Sequence, residues 1–176
     1  MIESLDLPLL QWIQSHRIES LDGMLRFFSS ATTFISIGMI LVIGLLSRFS
    51  RAGVKKMFQV SIALFIAALI TFSVKSLVNR VRPFREYHTI QKLSQGGGAS
   101  FPSGHTLEAF AVATSVALLF RKKRIQIPVF CWAILVAYSR MALGVHYPSD
   151  VLGGLVIGII LAIGIDYGFR RWVNPP

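Results

Sequence analysis

The sequence has little of several things that soluble proteins use. It holds one cysteine, Cys131, among 176 residues, which excludes an intrachain disulfide. Only 15% of the residues are charged, against about 25% in an average soluble domain. Acidic residues are scarce, since 8 of them stand against 18 basic ones, and the formal net charge is +10. This composition excludes a disordered chain, a collagen-like repeat and a disulfide-stabilised scaffold.

The chain has long apolar runs instead. The intervals 27–47 and 57–74 carry no charge, and each has the length of roughly 17–25 residues that a transmembrane helix needs. Three further intervals contain at most two charged residues each. Helices are expected because backbone polar groups in a bilayer must be satisfied within the segment. The sequence predicts one all-α domain over 1–176, a membrane helical bundle with five spans at 27–47, 57–78, 104–120, 125–145 and 150–169.

The first 26 residues mix apolar and charged side chains and are too polar for a span. They lack the uninterrupted apolar core of a signal peptide. Two interpretations fit this segment: an amphipathic helix that lies in the membrane interface, or a helix that packs on the rest of the protein. If residues 1–26 crossed the bilayer as well, the number of spans would be six.

Basic residues gather in three places that a five-span topology puts on one side of the membrane. The loops there hold no acidic residue, and their basic residues are Arg48, Arg51, Lys55, Lys56, Arg121, Lys122, Lys123, Arg124, Arg170 and Arg171. The positive-inside rule assigns that side to the cytoplasm. The opposite side then carries the N-terminal segment, the stretch 79–103 and the turn 144–149. The excess of positive charge is thus a signal of topology and not of nucleic-acid binding.

Polar residues collect at the non-cytoplasmic ends of the spans. Lys75, Asn79 and Arg82 recur at i, i+4 and i+7, so they can project together, and Pro83 is expected to end the helix at about Arg82. Snorkelling of a basic residue at a helix end explains Lys75 equally well when it is taken alone.

A second group, Pro102-Ser103-Gly104-His105, opens the third span. Ser103 is the expected N-cap, and Gly104 would let a ligand approach the backbone closely. The free N–H groups at a helix N-terminus bind anions. A plain helix start would account for Ser103 and Gly104, whereas His105 favours an anion site.

The third group is Ser139-Arg140, His146 and Asp150. Arg140 interrupts an apolar run, so it needs a partner or a wet cavity. Asp150 can hold one ring nitrogen of His146 and leave the other free as a nucleophile, although a structural His–Asp pair that caps the helix is the alternative. Three cations, a helix N-terminus and two histidines at one membrane face are what phosphoryl transfer requires.

These three groups resemble the motif of the type 2 phosphatidic acid phosphatases, whose superfamily includes the vanadium haloperoxidases. The motif reads Lys-x6-Arg-Pro, Pro-Ser-Gly-His and Ser-Arg-x5-His-x3-Asp, and residues 75–150 match it in order and spacing. The resemblance implies that His146 attacks phosphorus to form a phosphohistidine, that Asp150 orients His146, and that His105 protonates the leaving oxygen. It implies phosphate binding by Lys75, Arg82, Ser103, Gly104 and Arg140. It implies no metal and no cofactor, because the motif needs none.

The resemblance further implies a membrane phosphatase that acts on a lipid phosphate monoester or diphosphate. We expect a bacterial inner membrane and a site that faces the periplasm or the exterior. The expected partners are the lipid substrate and membrane lipids, with no nucleic acid and no obligate protein partner. Undecaprenyl diphosphate, phosphatidylglycerophosphate, phosphatidate and lipid A phosphates stay open as substrates, and specificity is expected from residues 84–99, the N-terminal segment and the groove between spans. A lipid phosphotransferase with the same intermediate is an alternative. A small anion transporter is disfavoured because the cations collect at one face.

Three residues outside the motif have weaker interpretations. Glu108 either lines the substrate entrance or pairs with a basic loop residue. Asp166 lies four residues before Arg170 and is expected to form an ion pair with it. Cys131 is expected to be a small buried apolar residue.

Overall fold

The computed structural model describes residues 2–173, so Met1 and residues 174–176 of the predicted domain lie outside the described residues. Every regular element within 2–173 is helical. A single 3-10 turn, Glu19–Leu21, precedes the second helix. The α-helices are α1 (Ile2–Ser15), α2 (Asp22–Ser30), α3 (Thr32–Leu46), α4 (Arg51–Val78), α5 (Pro83–Glu86), α6 (Gly104–Leu119), α7 (Lys123–Ala142) and α8 (Pro148–Val173).

Helix α6 lies at the centre of the bundle. Residues 109–117 are all buried, and α6 packs against α3, α4, α7 and α8. A helix that is apolar all round is expected to be enclosed by protein on every side. Its 16 residues span about 24 Å, which is shorter than the roughly 30 Å of a hydrocarbon core. The neighbours therefore shield α6 from lipid.

Close approach of α8 to α6 depends on two glycines one turn apart. A Cβ atom at Gly154 would lie 2.7 Å from the carbonyl oxygen of Ser103, and one at Gly158 would lie 2.5 Å from that of Leu107. Small residues at this spacing let two membrane helices touch through their backbones. Because Asp150 occupies the first turn of α8, this packing also fixes the distance between Asp150 and the start of α6.

The outer surface of the bundle is apolar. Phe34, Phe72 and Ile160 are 78%, 76% and 65% exposed, and they lie on α3, α4 and α8. So much exposed apolar surface is what a helical bundle in lipid presents, and the surface of a soluble protein rarely does so. Three helical stretches are long and apolar enough to cross a bilayer by themselves: Arg51–Glu86, Lys123–Ala142 and Pro148–Arg171. The chain is an integral membrane protein.

The interval 27–47, expected as one span, is divided between α2 and α3. The stretches Glu19–Ser30 and Thr32–Leu46 are bent by 56° at Ala31, and only as a pair do they have the length and hydropathy of a span. Hydroxyl groups at the break explain the bend: Ser30 donates to the carbonyl of Arg26, and Thr32 donates to those of Phe28 and Ser29. Such bonds from Ser and Thr to the preceding turn bend helices. With one bent pair and one short helix, α6, the count of five spans stays a prediction.

Helix α4 begins before the predicted interval 57–78 does. Its first residue is Arg51, because the side chain of Ser50 accepts a hydrogen bond from the Gly53 N–H at 3.3 Å and caps the helix. Absence of charge identifies only the apolar part of a helix. The first turns of α4 hold Arg51, Lys55 and Lys56 and therefore precede the predicted interval 57–78.

Helix α1 packs on the rest of the protein, as one interpretation of the N-terminal segment predicts, and its interfacial position stays a prediction. Leu10 and Ile13 are buried against the ends of α7 and α8, and Gln14 donates to the carbonyl oxygen of Gln91 at 2.9 Å. The opposite face exposes Leu5 and Trp12, the composition of a helix that lies in a membrane interface. Helix α1 thus packs on the bundle with one side and offers an apolar side outward.

The two ends of the bundle differ in charge. At the basic end, Gln59 and Arg170 both contact Asp166, and the Arg170 Nε–Asp166 Oδ2 distance of 2.6 Å confirms the expected ion pair. At the other end, α1 meets the 79–103 segment and the 144–149 turn.

The expectation for Cys131 is wrong: this residue is exposed, because α7 turns Trp132 inward and the preceding position outward.

Candidate active site

The first motif block lies where α4 ends. The helix stops at Val78, and Asn79 takes a left-handed conformation with φ 44°, so the chain turns away before Arg82. Asn79 is exposed and lines no described cavity, which corrects the expectation that Lys75, Asn79 and Arg82 project together along one helix face. Lys75 reaches the site from the last turn of α4, whereas Arg82 reaches it from the following loop.

His146 and Asp150 form the buried centre of the site. His146 is 1% exposed and Asp150 is fully buried. Nη1 of Arg82 lies 3.3 Å from Nε2 of His146, and an arginine can only donate, so Nε2 accepts and the ring proton is assigned to Nδ1. Nδ1 faces Oδ2 of Asp150 at 3.4 Å. This arrangement leaves Nε2 with its lone pair on the side of the cations.

Asp150 is itself held by several donors. Its Oδ2 accepts from the Ser100 hydroxyl at 2.5 Å and from the Tyr147 backbone N–H at 2.9 Å. Its Oδ1 accepts from Nη1 of Arg80 at 2.8 Å. With both oxygens occupied, the carboxylate has one orientation, and the His146 ring that bonds to it is oriented in turn.

Burial lowers the pKa of His146 to about 3. The hydrogen bond to Asp150 acts in the opposite direction, while the nearby charges of Arg140 and Arg82 lower this pKa further. His146 is therefore neutral at physiological pH, which is the state that a nucleophilic imidazole requires.

All three motif cations donate to one loop of residues 95–100. Arg82 donates to the carbonyl oxygens of Gly97 at 2.9 Å and Gly98 at 3.2 Å, and it also bonds to that of Val145 at 2.9 Å. Lys75 donates to the carbonyl oxygen of Ala99. These carbonyls hold the cationic groups together at the wall of the site, where mutual repulsion would otherwise separate them.

Arg140 is the most deeply buried of the three cations, at 3% exposed. It donates through Nη1 to the hydroxyl of Ser29 and through Nη2 to the carbonyl of Gln95 at 3.4 Å. Its Nε is buried and has no hydrogen-bond partner within the described residues. The prediction that Arg140 needs a partner or a wet cavity is consistent with this position, because Arg140 borders two cavities.

The Pro-Ser-Gly-His block begins α6, but Ser103 does not use its hydroxyl as predicted. Ser103 is the N-cap by position, yet its Oγ lies 2.9 Å from the hydroxyl of Thr106 and caps no backbone N–H. Its backbone N–H donates to the carbonyl of Asp150 at 3.0 Å, which ties α6 to α8. Gly104 lies against Thr71, whose methyl carbon would be 2.8 Å from a Cβ at this position.

The motif residues meet at a cavity of about 950 Å³, here called cavity 1. Six of the eight candidate site residues line it: Lys75, Arg82, Gly104, His105, Arg140 and His146. Asp150 lies behind His146, and Ser103 lies beside the cavity wall with its hydroxyl turned to Thr106. From this polar end, cavity 1 continues between α3, α4 and α6 along apolar side chains that include Ile37, Leu64 and Phe65.

A second cavity of about 660 Å³, here called cavity 2, adjoins the first. His105 and Arg140 line both cavities. The side chain of His105 makes no hydrogen bond to any residue in the described part of the chain, so its ring nitrogens are available to both spaces. The other residues that line cavity 2 belong to α2 and the 92–95 segment, and all of them except Leu93 are polar or basic.

Glu108 follows the first of its two interpretations. It lines cavity 1 and accepts hydrogen bonds from Thr33 at 2.9 Å and Ser36 at 2.8 Å. No basic residue within 2–173 forms an ion pair with it. Glu108 thus joins α6 to α3 at the point where the apolar part of cavity 1 begins.

Sequence reasoning missed Arg80, Asp6 and Ser100. Arg80 bonds to both Asp150 and Asp6, and Asp6 also accepts from the Ser149 backbone N–H at 2.9 Å. The available signal for Arg80 was a second arginine two residues before Arg82 in the same block. No sequence pattern links Asp6 to a turn more than 140 positions later.

The described residues contain no cluster of three or more His, Cys, Asp or Glu side chains that could hold a metal ion. Lys75, Arg82 and Arg140 line cavity 1 together with His146 and bring positive charge to it.

Comparison with known proteins places these observations in a family. The chain is 35% identical over 107 residues to the undecaprenyl-diphosphatase BcrC of Bacillus subtilis, covering 61% of this chain and 54% of that protein. It is 35% identical over 121 residues to the lipid A 4'-phosphatase of Bacteroides thetaiotaomicron, covering 61% of this chain and 50% of that protein. The chain thus spans about half the length of these curated relatives.

Solved structures match over more of the chain. LpxE of Aquifex aeolicus superposes with a TM-score of 0.78 at 30% identity, covering 93% of this chain and 95% of that one. A transmembrane PAP2 type phosphatidylglycerolphosphate phosphatase from Bacillus subtilis also superposes with a TM-score of 0.78, at 25% identity, covering 99% of this chain and 88% of that one. The profile of the PAP2 superfamily matches residues 56–173, which include every candidate site residue. The chain belongs to the PAP2 superfamily.

Proposed function

We propose that the chain is a membrane phosphatase that hydrolyses a lipid phosphate through a phosphohistidine at His146. The observation that carries this proposal is the neutral, buried His146, whose Nε2 lies 3.3 Å from Arg82 and whose Nδ1 faces Asp150. A nucleophile held by a carboxylate and placed beside fixed cations is suited to attack a phosphoryl group. The names of the relatives, which are lipid phosphatases, support the same reaction.

In the first step Nε2 of His146 attacks phosphorus while the bond from phosphorus to the leaving oxygen breaks. Lys75, Arg82 and Arg140 balance the charge on the phosphoryl oxygens, and the N–H groups at the start of α6 add positive potential. Asp150 stabilises the positive charge that develops on the His146 ring. His105 acts as the general acid of this step and gives a proton to the leaving oxygen.

In the second step a water molecule attacks the phosphorus of the phosphohistidine. His105, now neutral, accepts a proton from this water, and the bond from phosphorus to Nε2 breaks. Inorganic phosphate leaves, and His146 returns to its neutral state. Each residue ends in the protonation state in which it began, so the cycle needs no further reactant.

The shape of cavity 1 supports a lipid substrate. Its polar end holds the cations, and its other part runs between α3 and α4 along apolar side chains at the bilayer-facing surface. A substrate can therefore keep its chain in the apolar part while its phosphate meets His146. The basic residues at the opposite end of the bundle support a cytoplasmic position for that end and a periplasmic or exterior position for the site.

Turnover of lipid phosphates by the purified full chain in detergent, with a chelator present, tests this function. We expect inorganic phosphate to be released from at least one lipid phosphate or diphosphate. His146→Ala should lower release by about 10³-fold or more, the scale seen when an enzyme loses its nucleophile. His88→Ala is the matched control, because His88 is exposed and lines neither cavity. Equal turnover in both variants would exclude His146 as the nucleophile.

A further inference from the structure

Cavity 2 has the lining of an anion site. Two of its residues, Arg26 and Lys92, are basic and exposed, and no acidic residue lines it. The hydroxyl group of Ser94 adds a donor. Arg26 and Lys92 lie outside the three motif blocks, whereas His105 and Arg140, which also line cavity 2, belong to them.

The two exposed cations of cavity 2 form no ion pair with a carboxylate in the described part of the chain. Arg26 donates from Nε to the backbone carbonyl of Asp22 at 3.3 Å, which leaves its two terminal nitrogens unused. The Nζ of Lys92 lies 4.8 Å from the ring centre of Phe84, which positions the side chain without neutralising it. Arg17, Arg80 and Arg170 differ, since each forms an ion pair with a carboxylate.

Arg140 provides a second, independent observation. This guanidinium is 3% exposed, borders both cavities, and has a buried Nε without a hydrogen-bond partner among the described residues. A buried donor that lacks an acceptor is unfavourable until a ligand supplies one. Arg140 lines both cavities together with His105.

We propose that cavity 2 binds a second phosphoryl group, carried by the leaving part of the substrate. This inference rests on the proposed function, in which His105 protonates the leaving oxygen. Because His105 borders both cavities, the atom attached to that oxygen lies beside cavity 2. In a lipid diphosphate this atom is a phosphorus with anionic oxygens that Arg26, Lys92 and Arg140 can bind. In a simple monophosphate it is a carbon, which gains nothing from these cations.

The structure thereby favours lipid diphosphates over lipid monophosphates. The terminal phosphate of the substrate meets His146, the inner phosphate binds at cavity 2, and the chain lies along the apolar part of cavity 1. Hydrolysis breaks the bond from the terminal phosphorus to the bridging oxygen, and the leaving lipid monophosphate takes its proton from His105.

The test compares a prenyl diphosphate with the prenyl monophosphate of the same chain, using the full-length protein in detergent. For the wild type we expect a higher kcat/KM with the diphosphate. Arg26→Gln and Lys92→Gln should each lower kcat/KM for the diphosphate about tenfold, as expected for the loss of a bond to a charged group. The same variants should change kcat/KM for the monophosphate by less than about twofold, which also shows that they fold.

The control variant is Arg85→Gln, which removes an exposed arginine near Phe84 that lines neither cavity. It should leave both substrates unaffected. A further arm uses phosphatidylglycerophosphate, in which glycerol separates the two phosphates; an equal effect of Arg26→Gln there would show that cavity 2 accepts a more distant second phosphate.

Two results would overturn the inference while leaving the proposed function intact. Equal losses of kcat/KM for the diphosphate and the monophosphate would show that Arg26 and Lys92 contact the surrounding lipid and not a second phosphate. Unchanged kcat/KM in both variants would show that neither residue contributes to the reaction. A wild-type protein that releases no phosphate from any of these lipids would instead overturn the proposed function itself.

Discussion

Nη1 of Arg80 donates to Oδ1 of Asp150 at 2.8 Å. Nη2 of the same guanidinium lies 2.7 Å from Oδ2 of Asp6, and its Cζ lies 4.1 Å from the ring centre of Tyr147. Arg80 thus connects the N-terminal helix to the carboxylate that orients His146. It touches none of the atoms that would react, so its contribution to the reaction is one of position.

We predict that Arg80→Ala lowers kcat more than it raises KM. Without Arg80, the fully buried Asp150 loses a charge partner and its fixed orientation, and His146 loses its alignment. Loss of the partner that orients a metal-bound histidine lowers activity about 10- to 100-fold, and we expect a loss of the same order here. Steady-state kinetics on the best lipid substrate measure the effect, and Arg80→Lys should restore part of kcat because one bond to Asp150 remains possible. A change in KM alone, with kcat preserved, would argue against a positioning role.

Asp150→Asn should reduce kcat far more than Arg80→Ala does. The amide can present an N–H to Nδ1 of His146, which favours the tautomer with the proton on Nε2 and removes the nucleophilic lone pair. In a serine protease triad the equivalent change lowers kcat by on the order of 10⁴. Ser100→Ala removes another partner of the same carboxylate and should have a milder effect. If Asp150→Asn kept more than about a tenth of the wild-type kcat, control of the tautomer by Asp150 would be excluded.

Gly96 and Gly97 give a matched pair for the role of Arg82. A Cβ atom at Gly96 would lie 2.9 Å from Nη1 of Arg82, whereas one at Gly97 meets no atom within 4 Å. Arg82 cannot move freely because its terminal nitrogens are bonded to backbone carbonyls. Gly96→Ala should therefore displace the guanidinium from His146 and lower kcat/KM by about tenfold, the cost of one weakened charged hydrogen bond. Gly97→Ala should keep wild-type kinetics, and an equal loss in both variants would point to loop flexibility as the cause.

The pKa of His146 predicts how the stability of the protein depends on pH. In the folded protein this pKa is about 3, whereas an unfolded histidine titrates near 6.5. Between these values the unfolded chain binds a proton that the folded chain does not, so acidification lowers the free energy of unfolding, by roughly 1 kcal/mol per pH unit below about 6.5. Above pH 6.5 this contribution is constant. Unfolding temperatures in detergent at several pH values measure the effect.

His146→Gln is the variant that isolates this term, because glutamine does not titrate. Its unfolding temperature should fall less steeply than that of the wild type when the pH is lowered from 6.5 to 4.5. Parallel curves for the two proteins would show that other groups cause the acid sensitivity.

The sequence was informative about the site because the motif residues lie at helix ends. Lys75 lies in the last turn of α4 and Arg140 in the last turn of α7, while Gly104 and His105 begin α6. Helices of membrane-spanning length bring such ends to the same side of the bilayer, so spacing along the chain predicts proximity in the fold. The same reasoning predicted the all-helical bundle, since apolar length alone determines it.

Other features depend on local geometry that spacing does not encode. The bend at Ala31 arises from the hydroxyl groups of Ser30 and Thr32, which bond to the preceding turn. Because these residues carry no charge, the sequence shows one continuous run where the structure has two helices. The Ser103 hydroxyl lies 2.9 Å from that of Thr106 instead of capping the helix, and the position of Ser103 in the sequence does not reveal this contact. The link from Asp6 to Arg80 is a tertiary contact between distant segments, which a single sequence does not reveal.

The most direct test of the account is detection of the phosphoryl group on His146 during turnover. The purified protein is mixed with a lipid diphosphate, quenched under conditions that preserve phosphohistidine, and digested for mass spectrometry. The account predicts a peptide that contains His146 with one added phosphoryl group, and no such peptide from the His146→Ala variant. A phosphoryl group on His105, or turnover without any phosphorylated histidine, would contradict it.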